Sequence, residues 1–173
     1  MNILKNKNKG FTIIELLVVI SIISFLASIV LVNVNMYMAK ARDAKRMSDM
    51  RQIMIALEMY RSQNGVYPNA INDGCGGWDT GNKDYIFLNT QLAGIMNNTP
   101  RDSVGTGSCS GYLYYRYPET DSVYYGCGGV PFYVLGVTNM ETVSTTFPGS
   151  PGFGCSGRNW QNEFEWVTGV YEK

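Results

Sequence analysis

The chain has 173 residues, a formal net charge of zero and 45% hydrophobic residues. That length suits one modest globular domain plus an additional helix, and the balanced charge gives no electrostatic reason to expect a nucleic-acid partner. The chain contains no histidine, which excludes Ser-His-Asp and Cys-His catalysis and disfavours a structural zinc site. No glycine-rich phosphate loop of the required spacing is present either. We therefore expect a protein that is not an enzyme.

The N-terminus combines a short basic leader with a long apolar segment. Lys5, Lys7 and Lys9 precede this segment without any acidic residue, which predicts that the leader stays in the cytoplasm and that the rest is exported. Residues 16–39 carry no charge, and they exceed the roughly 20 residues that a helix needs to cross a bilayer. Glu15 places a carboxylate at the start of this segment. Such a residue is costly in a membrane and is a functional candidate for that reason.

Residues 10–19, Gly-Phe-Thr-Ile-Ile-Glu-Leu-Leu-Val-Val, resemble the N-terminus of type IV pilins and of the pseudopilins of type II secretion systems. The resemblance implies that a membrane peptidase cuts after Gly10 and that the new terminal amine, on Phe11, is methylated. It also implies that Glu15, the fifth residue of the mature chain, assists docking of the subunit in a filament. The chain departs from many members of the family, because residues 11–63 contain no helix-bending Pro and no Gly.

Two other interpretations explain this N-terminus less well. A secretory signal with a cut near Ala27 and Ser28 does not account for Glu15 in its apolar core, nor for the apolar residues beyond the cut. A plain single-span anchor leaves Glu15 unexplained. The resemblance therefore predicts a cleaved leader over residues 1–10 and a transmembrane and filament-core half-helix over residues 11–34.

The same helix is predicted to continue to residue 63. Its second half, residues 35–63, is amphipathic, because apolar residues recur three and four positions apart. We interpret the basic patch over residues 40–51 as a solvated helix face, and the alternative is a surface for an anionic partner. Asn64 and Gly65 predict the end of the helix. The apolar stripe consists of Met50, Ile53, Met54, Leu57 and Tyr60.

The remaining residues, 64–173, are rich in glycine, polar residues and aromatic residues, and they predict an extracytoplasmic globular head. Helical spacing over residues 84–96 indicates a short helix, and residues 118–122 indicate a turn. Strands are predicted at residues 112–117, 123–125, 132–137 and 163–171. This pattern predicts an α+β fold in which the long N-terminal helix packs on a small antiparallel β-sheet, and the resemblance implies a head of the same kind.

Four cysteines favour disulfides in an oxidising compartment, since all of them lie beyond the membrane segment. They can pair in three ways. We favour Cys109 with Cys127, because these two bracket a predicted hairpin, and hence Cys75 with Cys155. Cys109 also lies at the centre of a Gly-Ser-Cys-Ser-Gly sequence that imitates a nucleophile elbow. No histidine base exists for it, so we expect it to be half of a disulfide.

Two further groups of residues, acidic loop residues and tyrosines, are candidates for a binding function. Some pseudopilins bind calcium through acidic loop residues, but calcium needs about six to eight oxygen ligands and no compact acidic cluster is present. We therefore expect no cofactor or metal. The tyrosines of residues 112–133 form an adhesive or stacking surface in one interpretation, and in the one we favour they are strand formers with half their rings inside. The acidic loop residues are Asp79, Asp84, Asp102, Glu119 and Asp121.

The resemblance implies a structural subunit of a filament. Before assembly, the chain is expected to span the inner membrane once with its C-terminus outside the cytoplasm. Its expected partners are lipid, the prepilin peptidase, the inner-membrane assembly machinery and other copies of itself through their N-terminal helices. The filament is a type IV pilus at the cell surface, a periplasmic type II secretion pseudopilus or a competence pilus, and the N-terminus does not separate these. The alternative from another class is a membrane-tethered binding or adhesion domain that never polymerises.

Overall fold

The computed structural model describes residues 10–71, 74–82, 87–105, 107 and 109–172, without the side chains of residues 30–33. Of the predicted leader, only Gly10 lies within the described residues. The chain divides between Ala39 and Lys40 into two compact units.

The predicted α+β class is confirmed. Helix α1 (Ile13–Asn64) contributes to both units, and the second unit adds the strands and a short helix. These elements are β1 (Asp79–Gly81), β2 (Tyr112–Tyr117), α2 (Glu119–Tyr124), β3 (Phe132–Val137), β4 (Gly154–Cys155), β5 (Arg158–Asn159), a 3-10 turn (Trp160–Asn162) and β6 (Trp166–Tyr171).

The first unit consists of the apolar part of helix α1. Its large apolar side chains from Phe11 to Ile29 are 47–89% exposed. The helix is long and apolar enough to cross a membrane, with a mean hydropathy of 2.8 over its most apolar window. Apolar surface of this extent is unfavourable in water. The first unit therefore needs an apolar environment that its own described side chains do not supply.

Helix α1 ends at Asn64, within one residue of the end predicted from the sequence. Gly65 has a φ angle of 79°, a left-handed conformation that glycine adopts without steric cost. Its N–H donates to the carbonyl oxygen of Arg61 at 2.7 Å, and the side-chain amide of Asn64 donates to the carbonyl oxygen of Tyr60 at 2.9 Å. These bonds satisfy carbonyl groups that the last helical turn leaves without partners.

The second unit is built on a four-stranded antiparallel sheet in the order β1-β2-β3-β6. Because side chains alternate between the faces of a strand, neighbouring tyrosines enter different cores. One face packs on the apolar stripe of helix α1, and the other is covered by the C-terminal segments around Trp160 and Phe164. The interpretation of the tyrosines as core residues is confirmed for those at positions 112, 114, 117 and 133, which are buried.

The turn predicted at residues 118–122 and the strand predicted at residues 123–125 are wrong, because helix α2 occupies most of this segment. Pro118 precedes the helix with a φ angle of −69°. Glu119 and Asp121 lie in its first turn, where the helix dipole favours negative charge. Tyr124 and Tyr125, residues of a type that is common in strands, lie at the C-terminal end of this helix instead.

The short helix predicted at residues 84–96 is also wrong for the part that the structure describes. Residues 87–96 form successive turns, while residues 84–86 lie outside the described residues. Leu88 and Gly94 have φ angles of 53° and 89°, which no right-handed helix accommodates.

All four cysteines form disulfides, but the pairing favoured from the sequence is wrong. The bonds join Cys75 to Cys109 and Cys127 to Cys155. Cys109 precedes β2 and Cys127 precedes β3, and these antiparallel strands begin at opposite ends of their ladder. Six residues of strand separate those ends by about 20 Å, whereas bonded cysteines need Cα atoms within about 7 Å.

We expect reduction of the two disulfides to lower the free energy of unfolding by about 2–4 kcal/mol for each bond, because each closes a loop of 34 or 28 residues. Urea unfolding of the purified chain, followed by tryptophan fluorescence with and without reductant, measures this loss. Peptide mapping without reductant checks the pairing. A peptide that joins Cys109 to Cys127 contradicts the structure.

Candidate functional site at the N-terminus

Gly10 and Phe11, the predicted processing residues, are freely accessible. Phe11 is 89% exposed, and a Cβ atom placed on Gly10 meets no atom within 4 Å. The folded chain therefore does not itself require a glycine at position 10. Any requirement for a small residue there belongs to a protein that binds this segment.

Glu15 forms a reciprocal hydrogen-bonded cap with Thr12. The N–H and the hydroxyl of Thr12 each donate to Oε2 of Glu15 at 2.9 Å, and the N–H of Glu15 donates to Oγ1 of Thr12 at 3.3 Å. Since helix α1 begins at Ile13, Thr12 is the N-cap residue and Glu15 is the third helical residue. This arrangement is a capping box. This local role was not predicted from the sequence, although Thr-x-x-Glu before an apolar run is its signal.

The capping box engages only one oxygen of the Glu15 carboxylate. Within the described residues, Oε2 accepts both hydrogen bonds from Thr12 and Oε1 accepts none. The remaining oxygen is thus available to a donor from outside the chain. In a membrane or in the apolar core of a filament, an unpaired carboxylate oxygen is costly, so the environment of the first unit determines what Glu15 binds.

The interpretation of residues 40–51 as a solvated helix face is wrong for three of its charges. Arg46 and Asp43 are each 2% exposed and Asp49 is 6% exposed, while Lys40, Lys45 and Arg51 are exposed. The sequence showed the local spacing of these residues on helix α1. It carried no signal for the partners that cover them.

The partners that cover Arg46 and Asp43 come from two loops of the head. Nη1 of Arg46 donates to Asp43 at 2.7 Å and to Glu141 at 2.9 Å, and its Nε and Nη2 donate to Asp102 at 3.2 and 3.1 Å. The carboxylate of Asp43 accepts bonds from the N–H groups of Glu141 and Thr142 at 2.9–3.1 Å. Arg46 and Asp43 therefore fasten both loops to helix α1. Removing one partner of such a buried network leaves an uncompensated charge.

The bonds within this network lower the pKa of two carboxyl groups. Burial alone raises the pKa of Asp43, but hydrogen bonds from Thr142, Glu141 and Arg46 outweigh it and the net shift is downward. Hydrogen bonds from Arg42 and Arg46 lower the pKa of Glu141 despite partial burial.

We expect the head to lose stability in acid. A carboxyl group with a lowered pKa stabilises the fold above its ordinary value, 3.8 for Asp43 and 4.5 for Glu141, and this stabilisation is lost as the pH falls through the lowered value. The thermal midpoint should be nearly constant from about pH 7 to pH 5 and fall at lower pH. Asp43→Asn should have a lower midpoint at neutral pH and a shallower acid slope, measured by circular dichroism. Equal slopes in the two proteins contradict this assignment.

The acidic residues considered for calcium lie apart or already have protein partners. Asp79 accepts bonds from the N–H groups of Ile71 and Leu88 at 3.3 Å, and Asp102 binds Arg46. Asp84 lies outside the described residues. Among the residues that are described, no group of three or more His, Cys, Asp or Glu residues is arranged to hold a metal ion. The expectation of no cofactor stays a prediction.

The prokaryotic N-terminal methylation motif matches residues 5–31 of the chain. Type II secretion system core protein G of Vibrio cholerae serotype O1 is 28% identical over 154 residues, which cover 89% of this chain and 92% of that protein. The proteins of the same name from Aeromonas hydrophila and Escherichia coli are 41% and 43% identical over 64 and 63 residues. These cover 37% and 36% of this chain, and the chain spans only 45% and 43% of their length.

No solved structure matches the chain. The motif covers the predicted processing residues Gly10 and Phe11 and the predicted assembly residue Glu15, and the Vibrio relative extends the similarity into the head. The resemblance is confirmed to this extent: the chain carries the prokaryotic N-terminal methylation motif, and over most of its length it is similar to a type II secretion system core protein G.

Proposed function

We propose that the chain is a structural subunit of a type II secretion pseudopilus, a filament assembled from the membrane after the leader is removed. The apolar first unit carries this proposal, because its large side chains from Phe11 to Ile29 are 47–89% exposed. Lipid covers these side chains before assembly, and the same segment of neighbouring copies covers them afterwards. The similarity to core protein G of Vibrio cholerae over 92% of that protein favours the secretion filament over other pili.

The same proposal gives the chain a location and partners. It waits in the inner membrane as a single span, with the basic leader in the cytoplasm and the head in the periplasm. Two disulfides in the head suit that oxidising compartment. The prepilin peptidase cuts after Gly10 and exposes the amine of Phe11 for methylation. The inner-membrane secretion machinery then transfers the chain from lipid to the filament, where it acts without catalysis.

Photo-crosslinking tests whether the chain polymerises through its first unit. A benzoylphenylalanine in place of Ile20, which is 54% exposed, is expected to yield a ladder of covalent multimers in cells with a type II secretion system. The same chain in cells that lack the assembly machinery should yield monomers and lipid adducts, which is the matched control. Monomers in both strains overturn the proposal and favour a membrane-tethered domain that does not polymerise.

A further inference from the structure

A cavity of about 290 Å³ lies on the face of the sheet opposite helix α1. Its walls include the rings of Trp78, Tyr115, Tyr117 and Tyr125. Tyr115 and Tyr117 alternate along β2 with residues that face the helix, and Trp78 packs near both, with ring centroids 5.8 and 6.2 Å away. The cavity volume is slightly below the range of about 300–1,000 Å³ that is usual for small-molecule sites. It is large enough for one six-membered sugar ring but not for an extended ligand.

Both disulfides of the head hold walls of this cavity. Cys75–Cys109 fixes the turn that ends at Trp78, whose N–H donates to the carbonyl of Cys75 at 3.4 Å. Gly77 within that turn has a φ angle of 96°, and a Cβ atom there lies 2.8 Å from the ring of Tyr115. Cys127–Cys155 joins the segment after Tyr125 to the β4–β5 hairpin. A site whose walls are fixed before binding loses little entropy when a ligand enters.

Hydrogen bonds within the protein fix the orientation of the polar side chains that line the cavity. Arg158 is held by two hydrogen bonds to Glu163, at 2.8 and 2.7 Å. Its Nη1 donates to the hydroxyl oxygens of Tyr117 and Tyr125, both at 3.3 Å, and Nε1 of Trp160 donates to Tyr117 at 3.0 Å. The oxygens of both phenols are therefore acceptors within the protein. Burial raises the pKa of Tyr117, so its proton is retained and its O–H remains a donor.

Asp121 adds a hydrogen-bond acceptor to the cavity, in contrast to the phenols, which can donate. Asp121 lines the cavity, and within the described part of the chain its carboxylate takes part in no hydrogen bond or ion pair. A carboxylate accepts hydrogen bonds only, whereas the two phenols have O–H groups left to donate. The cavity thus presents donors, acceptors and aromatic faces together.

This combination selects among ligand classes. Asp121 repels an anion, and the charge of Arg158, which also lines the cavity, is balanced by Glu163. An ammonium ion has only donors and leaves the phenolic O–H groups without acceptors. A sugar hydroxyl both donates and accepts, and the C–H face of a sugar ring covers an aromatic ring. We propose that this cavity, bounded by Trp78, Tyr115 and Asp121, is a binding site for a single hexose unit of a glycan. The site does not depend on the filament role proposed above.

The test uses the full chain in an amine-oxide detergent, which has neither a sugar nor a choline headgroup. Saturation-transfer NMR with the methyl glycosides of glucose, galactose, mannose and N-acetylglucosamine is expected to show saturable binding of at least one, with a Kd on the order of 1 mM. Choline and inorganic phosphate are measured in parallel. Binding of choline without any sugar overturns the proposal, as does the absence of saturable sugar binding.

Matched variants place the binding at this cavity. Asp121→Ala should weaken it at least tenfold, while Glu119→Ala, in the same turn of helix α2 but outside the cavity, should not change it. Tyr115→Ala should also abolish binding, while Tyr124→Ala, which removes an 81% exposed ring, should not. Circular dichroism verifies that each variant is folded. Sugar binding that survives both Asp121→Ala and Tyr115→Ala overturns the proposal. Glu15→Leu, a variant of the proposed filament contact, should bind the sugar as the unmodified chain does.

Discussion

Replacement of Gly10 by Phe is expected to leave the leader attached to nearly all of the protein and to abolish filaments. A Cβ atom at position 10 meets nothing within 4 Å, so the larger residue should not disturb the fold or membrane insertion. In the proposed processing, by contrast, a small residue at position 10 lets the peptidase reach the bond that it cuts. An uncut chain has no amine at Phe11, and it retains three lysines at the end of the segment that has to enter an apolar filament core.

Intact mass and N-terminal sequencing of the membrane fraction decide the result. The unmodified protein should begin at a methylated Phe11, and Gly10→Ala, the smallest change at this position, should be cut far more completely than Gly10→Phe. Helix content by circular dichroism should be the same for all three. A mature protein that retains Met1, or one that begins near Ala27, contradicts the processing assignment.

The parts of the fold that the sequence predicted are those with local signals. Helix α1 ends at Asn64, one residue beyond the predicted end. This end is predictable because the absence of proline and the presence of Gly65 act on the backbone within one or two turns. Strands β2 and β3 match their predicted bounds. Their β-branched and aromatic residues pack on both faces of the sheet, so pattern and environment agree.

The parts that the sequence did not predict depend on residues far apart in the chain. Arg46 meets Asp102, 56 positions away, and Glu141, 95 positions away, and no local pattern distinguishes such a buried arginine from a solvated one. The prediction of the disulfide pairing is wrong for a related reason. It follows from which ends of β2 and β3 lie together, and spacing along the chain does not contain that information.

The N-terminal segment contains one feature that the sequence predicts and one that it does not. The sequence predicts a functional role for Glu15, since a carboxylate is costly in an apolar span. It did not separate the local role, the capping box with Thr12, from a role between subunits. The two roles differ in what they require of position 15. The capping box needs a hydrogen-bond acceptor, and a pairing between subunits needs a charge.

Glu15→Leu is expected to insert into the membrane and to be cut at Gly10, but to enter filaments poorly. In the proposed filament, cleavage leaves a positive amine on Phe11, and a stagger of the subunits along the axis would bring that amine near Glu15 of a neighbour. At low dielectric this pair is much stronger than in water, and a carboxylate without a partner is correspondingly costly. The charge therefore admits only those arrangements that place an amine opposite it. Apolar packing is retained or increased by Leu, so a loss of assembly has to come from the missing carboxylate.

Glu15→Gln separates the two roles. Glutamine preserves the capping box, since its side-chain oxygen accepts the bonds from Thr12, but it removes the charge. If the charge fixes the register between subunits, Gln should fail as Leu does, and the ladder of multimers that are photo-crosslinked at position 20 should be weak for both when each variant is expressed alone. If Gln assembles and Leu does not, the capping box is what assembly requires. If Leu assembles as well as the unmodified chain, neither role holds. Glu15 would then act before polymerisation, in recognition by the assembly machinery.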